Sequence, residues 1–270
     1  MFTDTHCHLD HGKFDPDRET AIARARDAGV GRILVPGLDL PSSAAAIKLA
    51  EAHPEIFAAV GFAPTDLAGY SPSRLEEIRA YAGHPKMVAI GEIGLDYYWV
   101  KDTQQRAFQR ETLQEQLALA TKMDKPVVIH MREQNNAWGG EASRDLLAIL
   151  SDWQRGLRGG LLQRPGVLHS FNGTLETARV AIGMNFLIGV TGPVTYKNAN
   201  EKRAVIREIP LESLLIETDS PYLTPEPNRG RRNEPAFVRA IADKIADIKS
   251  MTLEEVASVT TANAARLFLW

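Results

Sequence analysis

The chain has one cysteine in 270 residues. Cys7 can find no partner within the chain, which excludes an internal disulfide framework and leads us to expect a reducing, cytoplasmic setting. No apolar run approaches the ~18 residues of a membrane-crossing helix, so no membrane association is expected. The opening Met1-Phe2-Thr3-Asp4-Thr5 lacks the basic-then-apolar pattern of a secretory signal. Positive charge is not in excess: 31 Lys and Arg face 34 Asp and Glu, for a net charge of −3. A broad basic surface is thereby excluded, and any polyanion must be drawn by a local patch or by bound metal. Linkers, low-complexity tracts and short-period repeats are also missing. What remains is a chain with 44% hydrophobic residues, enough for a large core. An α/β barrel of this length is ordinarily one domain.

Short apolar runs alternate with amphipathic stretches. Runs at 2–5, 32–35, 57–61, 87–90, 126–129, 166–168, 185–190 and 214–216 give eight candidate strands. Unbroken runs suit parallel strands buried on both faces. Asp15-Pro16 reads as a helix start, with Asp as N-cap and Pro at the first helical position, and Gly29 as its stop. Residues 104–122 read as a longer helix whose apolar positions are Phe108, Leu113, Leu117 and Ala120. Thr252-Leu-Glu-Glu255 has the capping-box form before a last helix. The expected fold is a TIM-like (β/α)8 barrel, a single domain over residues 1–270. A doubly wound open sheet is the alternative.

Metal-ligating side chains stand at the ends of these runs: His6 and His8, Glu92, His130, His169 and Asp219. Four of the chain's seven histidines are among them. One strand-end histidine is ordinarily just a hydrogen-bonded side chain. Six matching positions say more, because the C-terminal ends of all strands in such a barrel meet on one rim. An open sheet would gather its ligands at one crevice. Residues from the first, fourth, fifth, sixth and eighth strands fit a closed rim better. His6 and His8 are two apart, so on a strand they point the same way. Each oxygen of a carboxylate such as Glu92 can take one cation, so Glu92 can bridge two. His130 and His169 then serve the second cation, and Asp219 completes the first. Two divalent ions about 3.5–4 Å apart can clamp a phosphoryl group. Mixed imidazole and carboxylate ligands suit Zn²⁺, Mn²⁺ or Ni²⁺ on affinity.

Asp4-Thr5-His6-Cys7-His8-Leu9 resembles the opening motif of the TatD family of metal-dependent deoxyribonucleases. Gly91-Glu92-Ile93-Gly94-Leu95-Asp96-Tyr97-Tyr98, the stretch from Pro126 through His130 to Glu133, and His169-Ser170-Phe171-Asn172-Gly173 resemble its next signatures. Glu217-Thr218-Asp219-Ser220-Pro221-Tyr222, the basic loop from Arg229 to Pro235 and the final helix complete the likeness in order along the chain. His-x-His alone is shared across the wider amidohydrolase superfamily; the Glu92 and Glu217–Tyr222 motifs are far more specific. The resemblance implies a TIM-like barrel, two divalent ions with Mg²⁺ or Mn²⁺ supporting turnover, and hydrolysis of DNA phosphodiester bonds from an end. One position departs: the family's Gly-x-His-Pro after the third strand is here Gly61-Phe62-Ala63-Pro64. The substituted alanine puts substrate preference and rate in question but leaves the six metal positions intact.

Asp219, the carboxylate not used as a bridge, is the candidate general base, and Glu92 the second catalytic candidate. Arg132, two residues beyond His130, carries a fork suited to phosphate, with a structural ion pair as the plain alternative. Arg229, Arg231 and Arg232 form a basic loop that could touch phosphates or simply be solvated. Asn233 in the same loop is a candidate substrate contact. Tyr97, Tyr98 and Trp99 could stack on a base or pack over the rim. Glu217, Asp4 and Asp96 read as supports behind the ligands. Cys7 should face away from the site. His11, His53 and His84 receive no role. The expected partner is DNA or another phosphodiester, acted on by a monomer. An ester or amide hydrolase resembling a D-aminoacyl-tRNA deacylase is the alternative enzyme. Many barrels of that superfamily bridge their metals with a carboxylated lysine at the fourth strand, where Glu92 stands here. A binding protein with a vestigial site is the non-enzymatic alternative.

Overall fold

In the computed structural model, which describes residues 1–270, the eight apolar runs become eight strands. They are β1 (Phe2–Asp4), β2 (Val30–Pro36), β3 (Ile56–Val60), β4 (Met87–Asp96), β5 (Val127–Arg132), β6 (Gly166–Leu168), β7 (Leu187–Val190) and β8 (Leu214–Ile216). Spatial order follows chain order, and every adjacent pair is parallel. Backbone hydrogen bonds close the ring between its two ends. Thr5 N–H donates to the Ile216 carbonyl (3.2 Å), Asp219 N–H to His6 (2.8 Å) and His8 N–H to Ser220 (2.8 Å). The architecture is therefore the TIM-like single-domain barrel, not the open sheet.

Between strands lie α1 (Arg18–Asp27), α2 (Leu40–Ala52), α3 (Pro72–Arg79), α4 (Thr103–Met123), α5 (Glu141–Gly156), α6 (Gly159–Gln163), α7 (Leu175–Gly183) and α8 (Asn200–Glu208). Then α9 (Val238–Lys249) and α10 (Leu253–Phe268) follow β8. No helix is long and apolar enough to cross a membrane. The core has two parts that alternate along each strand. Ile33, Val35, Val127, Ile129, Leu214 and Ile216 join the helices in a layer of 57 residues outside the barrel. Leu34, Ala59, Val128, Val167, Leu187 and Leu215 fill the barrel itself, closed below by Ala264, Leu267 and Phe268 of α10. A fully buried aliphatic side chain stabilises by ~1.5–3 kcal/mol, so the two layers together fix which face of each strand points inward.

Three local readings differ from the structure. Asp15-Pro16 lies in a turn, and α1 begins at Arg18 behind Asp17. The Asp17 carboxylate makes no cap bond because Arg24 and Arg232 take it. Phe108 is 40% exposed on α4, unlike buried Leu113, Leu117 and Ala120, and packs edge-on against Tyr70. The fourth strand runs six residues past its apolar run, to Asp96, because it keeps pairing with β5 as far as Asp96 with Arg132. Gly29 does stop the first helix, at φ +83°, and the Thr252–Glu255 capping box is present.

Candidate metal centre

The candidate ligands on or just past β5, β6 and β8 extend the inward stripe of the barrel. Val128 points in, and so does His130 two residues on; Val167 leads to His169, and Leu215 to Glu217 and Asp219. Glu92 breaks this parity. Ala89 faces the interior and Ile90 and Ile93 face the helices, with a register irregularity between Ile90 and Ile93. An extra residue in one strand re-aims the side chains that follow it, and here Glu92 is brought inward. Its backbone N–H donates to the Gly37 carbonyl at 2.9 Å. Asp219 sits at φ +55°, a conformation Asp and Asn tolerate better than most residues.

These side chains converge into three overlapping clusters: His6 with His8 and Glu92, His6 with His169 and Asp219, and Glu92 with His130 and His169. His6 Nε2 lies 3.2 Å from Glu92 Oε2 and 3.8 Å from Asp219 Oδ1. His8 Nε2 lies 3.8 and 3.6 Å from the same two oxygens. The other oxygen of Glu92, Oε1, lies 2.7 Å from His130 Nδ1 and 3.0 Å from His169 Nε2. The rings of His6 and His169 stack at 3.9 Å and 10°, which holds the two halves of the centre side by side.

All ion pairs of Glu92 and Asp219 are with imidazoles, so no lysine or arginine neutralises them. Burial would raise the Glu92 carboxyl, but His169, His130 and His6 hold it well below the carboxylate range. Burial also opposes charge on Asp219, yet His8 and His6 keep it below its ordinary value. Burial disfavours a proton on His8 and on His130. Asp219 and Glu92 nevertheless push His8 up to about 9, and Asp96 and Glu92 push His130 up to about 10. Burial and neighbouring His169 pull His6 down to about 4. The cluster draws positive charge, and the buried Nδ1 atoms of His6, His8 and His169 find no hydrogen-bond partner in the chain. Convergent imidazole nitrogens and ionised carboxylate oxygens fit divalent cations of the Zn²⁺ or Mn²⁺ kind.

The supports stand behind the cluster. Asp96 Oδ2 lies 3.1 Å from His130 Nε2, so the nitrogen that faces away from Glu92 has an acceptor. Asp4 staples the barrel seam: it accepts Thr218 N–H (2.8 Å), Thr218 Oγ1–H (2.6 Å) and His6 N–H (3.3 Å). Glu217 accepts Ser170 N–H and Thr5 Oγ1–H and reaches the cluster only through His169, at 3.9 Å. Gly189 makes room for it, since a Cβ there would meet Glu217 Oε1 at 2.3 Å. Cys7 is wholly buried against Ser220, and burial pushes its thiol far up.

The candidate substrate contacts fare unevenly. Arg132 ends β5, half-buried and without an acidic partner, its Nε donating to Asn136. Arg229 and Arg231 are exposed, Arg229 lying over the Tyr196 ring at 4.3 Å. Arg232 is instead paired with Asp17. Asn233 is a correction. It is fully buried, and its amide nitrogen donates to the carbonyls of Thr218 and Tyr222 while its oxygen accepts Glu234 N–H. It pins the loop after β8 and has no donor left for a substrate. Tyr97 is buried, its hydroxyl donating to Asp145, whereas Trp99 is 66% exposed. Ala63 is buried at 1% exposure. Sequence reasoning missed Asp10, whose buried Oδ1 has no partner, and Lys202, whose buried Nζ donates to the Phe171 carbonyl at 2.6 Å. Neither carries a pattern signal, because isolated Asp and Lys normally face water.

A parallel eight-stranded barrel with imidazole and carboxylate clusters on its C-terminal rim defines the amidohydrolase-like class of metal-dependent hydrolases. Comparison with known proteins narrows this. A family model described as TatD related DNase matches residues 3–269. The uncharacterized metal-dependent hydrolase YabD of Bacillus subtilis is 42% identical, covering 99% of both chains. The 3'-5' ssDNA/RNA exonuclease TatD of Salmonella typhimurium is 35% identical over 97% of this chain and 96% of its own. The crystal structure of YjjV, a TatD homolog from Escherichia coli, superposes with a TM-score of 0.88 at 34% identity, covering 100% and 98% of the two chains. The chain belongs to the TatD family of metal-dependent hydrolases.

Proposed function

We propose that this protein is a two-metal phosphodiesterase that removes nucleotides from the ends of single-stranded DNA. The observation that carries the reading is the division of Glu92, one oxygen toward His6 and the other toward His130 and His169. A carboxylate shared this way suits a pair of cations, Mg²⁺, Mn²⁺ or Zn²⁺, rather than one. His6, His8, Glu92 and Asp219 would hold the first, and Glu92, His130 and His169 the second. Ions so held supply Lewis acidity, polarising phosphoryl oxygens and easing deprotonation of water. Support for a nucleic-acid substrate comes from the family model and from the Salmonella relative's name.

The chain's own groups do the rest. The Asp219 side chain is 16% exposed and that of Glu92 6%, so Asp219 is the carboxylate that meets solvent at the mouth. Held ionised by His8 and His6, it accepts the proton of the attacking water. The water oxygen joins phosphorus, the bond from phosphorus to the leaving oxygen breaks, and Asp219 passes its proton to that oxygen or to solvent. Arg132, Arg229 and Arg231 offer guanidinium groups to flanking phosphates.

Asp219→Asn tests this directly. Asn tolerates the same positive φ, so the fold should survive while hydrolysis falls by roughly 10²–10⁴-fold, the usual worth of a general base. Activity within a few-fold of wild type would exclude Asp219 as the base. The wild type should be assayed on DNA, RNA, bis(p-nitrophenyl) phosphate and aryl esters with each metal. Ester hydrolysis without diester hydrolysis would replace the phosphodiesterase reading with that of an ester or amide hydrolase.

A further inference from the structure

We infer that Trp99, Tyr98 and Arg132 form a nucleotide subsite on the β4–β5 edge of the barrel mouth. A nucleobase stacks on the Trp99 indole, and its phosphate takes the free terminal nitrogens of Arg132. The inference rests on the phosphodiesterase reading for its ligand, but on separate residues for its geometry.

Three observations meet here. The first is an unpaired cation. Arg106, Arg110 and Arg232 are each engaged by a carboxylate. Arg132 has none, and only its Nε is used, on Asn136 at 2.9 Å. Its guanidinium carbon lies over Tyr98, 4.0 Å from the ring centre, and 5.7 Å from that of Trp99. Both terminal nitrogens are therefore held in place and left without a partner.

The second is an exposed aromatic on a fixed backbone. Trp99 is 66% exposed, yet its N–H and that of Tyr98 donate to Asp96 Oδ1 at 2.8 and 2.9 Å. Arg106 grips the same turn from behind through the carbonyls of Tyr97 and Val100. Tyr98 meets Trp99 edge-on at 4.8 Å and 88°. An indole presented this way can stack on a base with little ordering cost.

The third is proximity to the metal centre. The carboxylate that anchors the Trp99 turn, Asp96, touches His130 with its other oxygen. Arg132 is two residues beyond His130 on the same strand and so leans the same way. Tyr222, on the opposite side of the mouth, is the less open platform, 45% exposed against 66% for Trp99.

The test compares two hydrolysis-resistant phosphorothioate octamers, one of thymidine and one abasic, by fluorescence anisotropy. Both carry the same charge and only one carries bases. Wild type should bind the thymidine strand roughly 10-fold more tightly, within the usual range for base–aromatic stacking. Trp99→Ala should erase that preference, and Arg132→Ala should weaken both strands alike. Retention of the preference in Trp99→Ala, or no preference in wild type, would overturn the subsite. Wild-type hydrolysis of bis(p-nitrophenyl) phosphate, which has no base, reads the catalytic centre on its own. Hydrolysis without base preference leaves the phosphodiesterase reading standing and the subsite refuted. Base preference without any diester hydrolysis does the reverse.

Discussion

The Asp96 carboxylate divides its oxygens between the Trp99 turn and His130. An acceptor behind a ligating imidazole fixes which nitrogen is free and how the ring is turned. Asp96→Asn keeps the shape and can still accept the two backbone N–H groups, but loses the charge that orients His130. Metal affinity should fall roughly 10–100-fold, read by chelator competition, with circular dichroism unchanged. Unaltered affinity would show that His130 is oriented without it. At this scale the sequence was informative where parity is regular. His6 with His8, and His130, His169 and Asp219 beyond their apolar runs, could be placed by counting in twos. Glu92 was placed by its position at the end of an apolar run, and counting in twos would have missed it, because the irregularity between Ile90 and Ile93 reverses the count. Asn233 was misread because a motif does not tell a side chain that meets substrate from one that holds the loop carrying such residues.

At the scale of elements, the strands were legible because each is a short run buried on both faces. Their ends were less so: β4 continues through polar residues that its neighbour pairs. Within the helices, tertiary partners override local rules. Asp17 abandons the cap of α1 for Arg24 and Arg232. In α8, Lys202 reads as solvent-facing, yet it is buried and holds the loop after His169 through the Phe171 carbonyl. Burial lowers its pKa from 10.5 to about 8. Between those values the unfolded chain binds more protons than the native one, so stability rises with pH across that window. The contribution is complete above pH 10.5 and lost as pH falls to about 8. It is on the order of 3 kcal/mol at ~1.4 kcal/mol per pKa unit. Lys202→Met keeps the stem and removes the titration. Urea midpoints of wild type and variant should therefore converge or cross as pH is raised from 8 to 10.5, and parallel curves would refute the assignment.

The whole molecule sets how a polyanion can be held. Net charge is −3, so long-range attraction is absent and binding must be local. Closure of the ring was inferred from ligands spread over five strands, and it places those ligands among mouth loops that a flexible strand can enter. The guanidinium groups free to meet phosphate there are few: Arg132, Arg229 and Arg231, since Arg232 is spent on Asp17. For single strands the logarithm of affinity falls with the logarithm of salt with a slope of about −0.7 per neutralised phosphate. Three guanidinium contacts therefore give a slope near −2, at fixed metal concentration. Arg132→Ala should bring it to about −1.4. Glu234, buried and paired with Arg24, keeps the loop in place in both proteins, so the change in slope reports the lost charge alone. A wild-type slope steeper than about −4, the mark of six or more phosphate contacts, would mean that the strand wraps a surface far wider than this mouth. An unchanged slope in Arg132→Ala would remove that residue from the binding path.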